Sequence, residues 1–567
     1  MTKRSLFPFT FLSAALALGG CGVVLGLDDY THNASSSSGN AGQGGSAGEG
    51  TGGNAGTGGT AGSGGTSACM PGTKQPCYSG PIGTEDVGMC KAGEQTCLPE
   101  GTGFGPCTGE VVPTMEICSM PGDENCDGSS CSETTWARIF GDAAVQYGRV
   151  VAPDGMGGVY FAGSMEGTVD FDGKMHVTAG GRDIFLTRIG PDGKCMWSQR
   201  FGDAVNQDPT AITVDAMGNV YLAAIVEGVI DFGGGQLPAG GYYDIAIASF
   251  DPTGKHRWSR RYGAAAAQEP HGLAITPTGE LVVAGSFGGT FMIGSTTLTS
   301  AGDWDMFVAK LDSATGDEIW TKQFGTTTME QIDAVAVDTT GNIITVGRYG
   351  GYVNLGGNVL PYSGMAGDLN VFVLKLDSNG KHSWSNGFGD SEAFQFVSTL
   401  AVDSAGAMIF AGEFEGVMNF GGAPLIATGS QRDIYLTKLA SNGTHVWSKQ
   451  FGGAADDRWP RVTVDPMGNS VFISCYFTYS IDFGGTSLLS DGSFDIAVAR
   501  LNADGSHVWS RRFGETPGAL QQQTSSDIAW SPKKLFVAGS QMGTTDYGTG
   551  VLTSAGSFDA AVFAIGP

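Results

Sequence analysis

The chain has 567 residues, 30 basic against 56 acidic, for a net charge of −26. That balance argues against nucleic acid as a partner, because phosphates would be repelled rather than neutralised. With 93 glycines and only 15% charged residues, the composition suits turn-dense β structure and Gly-rich linker.

Lys3 and Arg4 precede an apolar stretch from Leu6 to Leu18 that is too short to span a bilayer and has the form of a secretory h-region. Leu18-Gly19-Gly20-Cys21 follows and resembles the lipobox of bacterial lipoproteins. The resemblance implies a signal peptide over residues 1–20 and a mature chain that begins at a lipidated Cys21. Two or three acyl chains there would suffice for stable anchoring. The expected location is the cell envelope, at the outer membrane or cell surface, with the lipid as the sole membrane contact.

Residues 21–68 form the expected tether. From Ser35 to Ser67 the sequence is nearly all Gly, Ser, Ala, Thr and Asn, with nothing to bury. As a flexible coil of about 45 residues its reach is roughly 35–40 Å.

Residues 69–133 hold eight cysteines: Cys69, Cys77, Cys90, Cys97, Cys107, Cys118, Cys126 and Cys131. An even count in an exported, weakly apolar segment predicts a disulfide framework, with 105 possible connectivities for eight cysteines. No CxxC pair supports a zinc site. The stretch Glu116-Ile117-Cys118 through Asp123-Glu124-Asn125-Cys126-Asp127-Gly128 resembles part of the metal-binding motif of MopE-like surface proteins. That resemblance implies Asp123, Asn125 and Asp127 as oxygen ligands for Ca²⁺ or another divalent cation, the one cofactor considered. The alternative is a disulfide-stapled turn.

From residue 134 to the end, Trp, three variable residues, Phe or Tyr, then Gly recurs seven times, with Trp136, Trp197, Trp258, Trp320, Trp384, Trp447 and Trp509 leading. The spacing is about 62 residues, which marks one supersecondary unit copied in tandem. In the second copy, Thr210–Asp215 alternates, Asp215–Asn219 is a turn signal, and Val220–Ala224 returns. A longer Gly-rich connection leads to a third run, Asp244–Phe250, then a turn at Asp251–Gly254 and a fourth run, Arg257–Tyr262. Four short antiparallel strands per copy predict a propeller blade. The first Trp segment lacks three strands before it, and the last copy, Asp527–Ile565, lacks a Trp segment after it. The two pieces complete one blade. The predicted fold is therefore an all-β, seven-bladed propeller of four-stranded antiparallel blades, closed by the N-terminal strand pairing with the C-terminal blade.

Each Trp is expected to wedge between blades. The Asp or Asn that recurs before the third strand, at Asp183, Asp244, Asp305, Asn370, Asp433, Asp495 and Asp559, is expected to be a turn or inter-blade hydrogen-bond partner. The segments Asp231-Phe232-Gly233-Gly234, Asn419-Phe420-Gly421-Gly422 and Asp482-Phe483-Gly484-Gly485, with Trp-x-x-x-Phe-Gly, resemble the bacterial β-propeller repeat family known as SBBP. Leu311 through Trp320 resembles the tryptophan-docking repeat of quinoprotein dehydrogenases and outer-membrane assembly lipoproteins.

Catalytic motifs are missing: outside the Gly-rich linker the sequence has no GxSxG elbow, and it has no HExxH helix. His256, His382, His445 and His507 stand in register two residues before a repeat Trp, with Cys195 and Glu318 in equivalent places. They open the outermost strand, about 14 Å farther out than the first strand at ~4.8 Å per strand, and cannot converge on one ion. Cys195 and Cys475 read as buried small apolar residues. The loops entering each first strand carry Gln146, Gln207, Gln268, Gln331, Gln395, Asp457 and Gln522, expected as a polar binding rim near the axis. The expected role is a monomeric, noncatalytic binding or scaffold module for a protein or glycan partner. The alternative is an enzyme acting on polysaccharide or a quinone-dependent substrate in the channel.

Overall fold

The computed structural model describes residues 69–81, 84–113, 126, 134–364, 368–389, 394–428, 431–453, 455–490, 493–514, 521–532 and 534–566. Cys21, the tether, Cys118, Cys131, Asp123, Asn125 and Asp127 lie outside them.

The Cys-rich segment holds a two-stranded antiparallel sheet, Lys74–Cys77 with Gly93–Thr96. It is stapled by Cys69–Cys97, Cys77–Cys107 and Cys90–Cys126. Most of its side chains are exposed, so cross-links stand in for a core too small to hold the segment alone.

Seven four-stranded antiparallel sheets follow. Blade one is Gln146–Pro153, Val159–Met165, Asp183–Ile189 and Cys195–Phe201. Blade two opens at Gln207–Val214, blade three at Gln268–Ile275, blade four at Glu330–Val337, blade five at Gln395–Val402 and blade six at Asp457–Val464. Blade seven joins Gln523–Ser531, Lys534–Gln541 and Asp559–Ile565 to the N-terminal strand Thr134–Phe140. In that closing ladder Ala137 faces Phe563 and Arg138 faces Val562. The ring thus closes with the first strand of the array as the outermost strand of the last sheet, as the incomplete end copies predict.

The second and third strands are buried almost throughout, because both faces of each sheet meet a neighbouring blade. Seven apolar clusters each draw on two adjacent blades, and no blade has a core of its own. Trp197, Trp258, Trp384 and Trp447 donate their indole N–H to Pro252, Ser313, Ser441 and Ala503 carbonyls in the next blade, at 2.9–3.3 Å. In these four blades the expected wedge is pinned as well as packed, while Trp136 and Trp509 are buried with no partner for the indole N–H among the described residues.

The long connection between second and third strands holds a small ribbon of its own in every blade, such as Thr290–Ile293 with Thr296–Thr299. From sequence alone the expectation here is a longer Gly-rich connection. Strands of two to four residues interrupted by glycine carry too little alternation to register.

Candidate functional site

The four strands of a blade alternate in direction, so one face of the ring gathers the starts of first and third strands and the ends of second strands. First strands of neighbouring blades lie side by side around the axis. The mouth of the channel on this face is the candidate site, as in propellers generally the loops and axis carry function.

The expected rim of polar loop residues is not what fills it. Gln146, Gln207, Gln268, Gln395 and Asp457 have no exposed surface. Their oxygens turn back on the loop: Gln146, Gln207 and Gln268 accept the amides of Asp142, Asp203 and Ala264, and Asp457 accepts that of Gly453. Two positions are out of register. Glu330, not Gln331, is the buried equivalent in blade four and accepts the Thr326 amide at 2.6 Å; Gln523, not Gln522, opens blade seven. Holding the five-residue distance from the repeat Gly would have selected Glu330. Gln331 instead accepts from Arg348 at 2.8 Å.

These buried residues explain the repeat. Asp183, Asp244, Asp305 and Asp433 accept backbone amides of their own blade's loop, from Ala179, Gly240, Ala301 and Thr428. They are turn partners, one of the two roles expected. Oδ1 of Asp183 and Oε1 of Gln207 close on Gly202, and a Cβ there would be driven into both. The Gly of Trp-x-x-x-Phe-Gly is thus fixed by lack of space.

The four rim histidines bond locally. Nε2 of His256, His382, His445 and His507 lies 3.1, 3.1, 2.7 and 3.1 Å from the hydroxyls of Ser259, Ser385, Ser448 and Ser510. Their rings cover the second glycine of the Phe-Gly-Gly turns or, for His382, of Leu355-Gly356-Gly357. In blade one, where Cys195 replaces His, His176 reaches Ser198 instead, at 2.8 Å. Cys195 and Cys475 are buried free thiols. Among the described residues no group of three or more His, Cys, Asp or Glu is placed to hold a metal. No helix among them is long and apolar enough to cross a membrane.

Over blades four to six the mouth carries a cluster of aromatic and charged side chains that no repeat motif marks. Phe394 and Phe396 lie nearly parallel, 6° apart with centroids at 6.0 Å. The Arg432 guanidinium covers Phe394 at 4.1 Å and that of Arg348 covers Phe396 at 3.9 Å. Arg348 forks onto Asp333, both contacts at 2.9 Å, and Arg432 reaches buried Glu413 at 3.3 Å. Trp459 meets the edge of Phe396 at 5.6 Å. Its amide donates to Glu413 at 2.7 Å.

Trp459 has φ +51°, a conformation costly for a bulky residue. In the six other blades one residue of the first strand goes unpaired; in blade six both Trp459 and Pro460 do. Arg461 follows, donating Nε to the Ser526 carbonyl at 2.6 Å and Nη1 to the Ser398 carbonyl at 3.0 Å. It therefore ties blade six to both neighbours across the channel wall. Asp527 accepts the Val151 amide at 2.9 Å and makes the same kind of tie from blade seven to blade one. Burial pushes the Asp527 carboxyl up to about 6, against the pull of the Val151 amide and Arg461.

Glu269 and His271 lie on the first strand of the adjoining blade three, 3.7 Å apart. Burial raises the Glu269 carboxyl, and burial with the Arg348 charge holds His271 down to about 4, so the imidazole is neutral at pH 7.

No known protein-family profile matches the chain. It is 24% identical over 339 residues to the regulatory protein FlaEY of Caulobacter vibrioides, a match that covers 55% of this chain and 34% of that protein. The chain thus matches about a third of that relative's length. Among solved structures it is similar to a polysaccharide lyase PL25 ulvan lyase (TM-score 0.41, 11% identity, 76% of this chain and 96% of that one). It is also similar to the quinohemoprotein alcohol dehydrogenase of Comamonas testosteroni (TM-score 0.34, 10% identity, 73% and 76%).

Proposed function

We propose that the protein is an envelope lipoprotein, anchored through Cys21, whose propeller is a noncatalytic binding or scaffold module for a protein or glycan partner. The observation that carries this is the mouth over blades four to six. Aromatic rings, guanidinium groups and carboxylates are locked there in fixed orientation by mutual stacking and ion pairs, a preorganised recognition surface. Three disulfides in the neck fit an exported chain, and so does the lipobox resemblance. The SBBP resemblance of the repeats belongs to the same reading.

The second reading, an enzyme acting on polysaccharide, rests on the raised carboxyls of Glu269, Asp333 and Asp527 along the channel. Two of the three are committed. Asp333 holds the Arg348 fork and Asp527 holds backbone amides. Glycoside chemistry of the common kind needs two carboxyls free to act across one bond. Glu269 alone supplies one, which favours binding.

The test is hydrogen exchange of the whole chain with and without candidate envelope glycans and proteins, together with an assay of glycan depolymerisation. Slowed exchange confined to 394–398, 456–461 and 476–477, with no cleavage, is the expected result. Protection elsewhere, or turnover abolished by Glu269→Gln, would overturn it.

A further inference from the structure

The guanidinium groups of the mouth are not equivalent. Arg348 is neutralised by Asp333, Arg432 by Glu413 and Arg458 by Asp456. Arg461 bonds to carbonyls, those of Ser398, Pro460 and Ser526, and the carboxylates around it, Asp527, Glu413 and Asp333, act on it through space, with no ion pair to it among the described residues. Its position in the other blades is taken by Val150, Ala211, Gly272, Ala334, Thr399 and Asp527, so the cation is peculiar to blade six. Its guanidinium lies 5.5 Å from the Trp459 ring, which is only partly buried. A bulky ring held at positive φ beside a cation that no carboxylate bonds is strain kept at one blade out of seven. Such strain marks a site whose surroundings were selected to hold it.

Resting on the binding reading above, we infer that this corner takes an acidic glycan, with a uronate carboxylate on Arg461 and a sugar ring against Trp459. The aromatic faces present partial negative charge to the C–H face of a pyranose ring. The flanking ion pairs offer both donors and acceptors to its hydroxyls: Arg348 and Arg458 donate, Asp333 and Asp456 accept. Carbonyls hold Nε and Nη1 of Arg461, so a carboxylate would meet Nη2, in a charge-assisted hydrogen bond stronger than any a neutral group makes. An extended peptide fits less well. It would have to pair with the inner strand edges, and Arg461 already occupies the Ser398 and Ser526 carbonyls while Asp527 occupies the Val151 amide.

The experiment is calorimetric titration of the whole chain, kept in detergent, with polygalacturonate, neutral dextran, dextran sulfate and poly-L-glutamate. Polygalacturonate is expected to bind, and the other three to bind far more weakly. Arg461→Gln and Trp459→Gly are each expected to weaken polygalacturonate about 30-fold. Glycine accepts the positive φ, so Trp459→Gly removes the ring without disturbing the backbone. Where its melting temperature nonetheless falls, Phe396→Leu replaces it, with a smaller loss expected. Equal binding of dextran sulfate or poly-L-glutamate would make the corner a general polyanion site and overturn the inference. Equal binding of dextran would remove the role of the charge. No binding of polygalacturonate, or binding that both substitutions leave unchanged, would also overturn it. In each of these cases the broader binding reading stands or falls separately, on the hydrogen-exchange map.

Discussion

At the junction of blades five and six, Asp457 stands where five blades carry Gln and one carries Glu330. Its carboxyl is buried against the charges of Asp433 and Asp456, and burial first and those charges second push it up to about 8. The unfolded carboxyl titrates near 3.8. Between those values the folded state binds a proton that the unfolded chain has released, so the contribution to stability falls as pH rises from about 4 to 8. Asp457→Asn removes the charge and keeps the acceptor for the Gly453 amide. Denaturant unfolding is expected to show the variant about 1–3 kcal/mol more stable than the parent at pH 8 and equal to it near pH 4. A variant no more stable at pH 8 would mean the Asp457 carboxylate is solvated.

A blade is legible in the sequence because each of its parts repeats with one physical purpose. Trp bridges to the next blade, Gly leaves room for Asp and Gln oxygens, and His covers the Phe-Gly-Gly turn. Gly202→Ala is accordingly expected to cost about 2–4 kcal/mol by thermal or chemical denaturation, although Ala is elsewhere the milder residue in a strand. A loss within 0.5 kcal/mol would mean the Asp183 and Gln207 side chains give way freely. Trp258→Ala is expected to cost about 3–5 kcal/mol, since it leaves a cavity and the Ser313 carbonyl loses a donor. The candidate site was illegible for the same reason that the blade was clear. Attention to what recurs selected Gln146, Gln207 and Gln268, which are structural because every blade needs them. Trp459, Arg461 and Arg348 are departures from the pattern, and a single departure is silent until the fold brings it beside others. Phe394 and Phe396 open a strand and read as ordinary core residues until Arg432 and Arg348 are found on their faces.

For the whole molecule, closure decides everything else. Each apolar cluster needs two blades, so an open array would leave the outer faces of its terminal blades uncovered. The mouth exists only while the ring holds blades four to six at fixed angles, and Arg461 and Asp527 tie three of the junctions on the closing side. Deleting residues 134–140 would strip the outer strand from blade seven and expose Asp559–Ile565 as an edge. The truncated chain is expected to melt lower and to aggregate, while reduction of the neck disulfides is expected to leave the propeller transition in place. Native-state hydrogen exchange at the Thr134–Phe140 amides tests closure most directly. Protection matching that of the other outer strands, such as His256–Tyr262, is the result closure predicts, and exchange at the rate of unstructured peptide would contradict it.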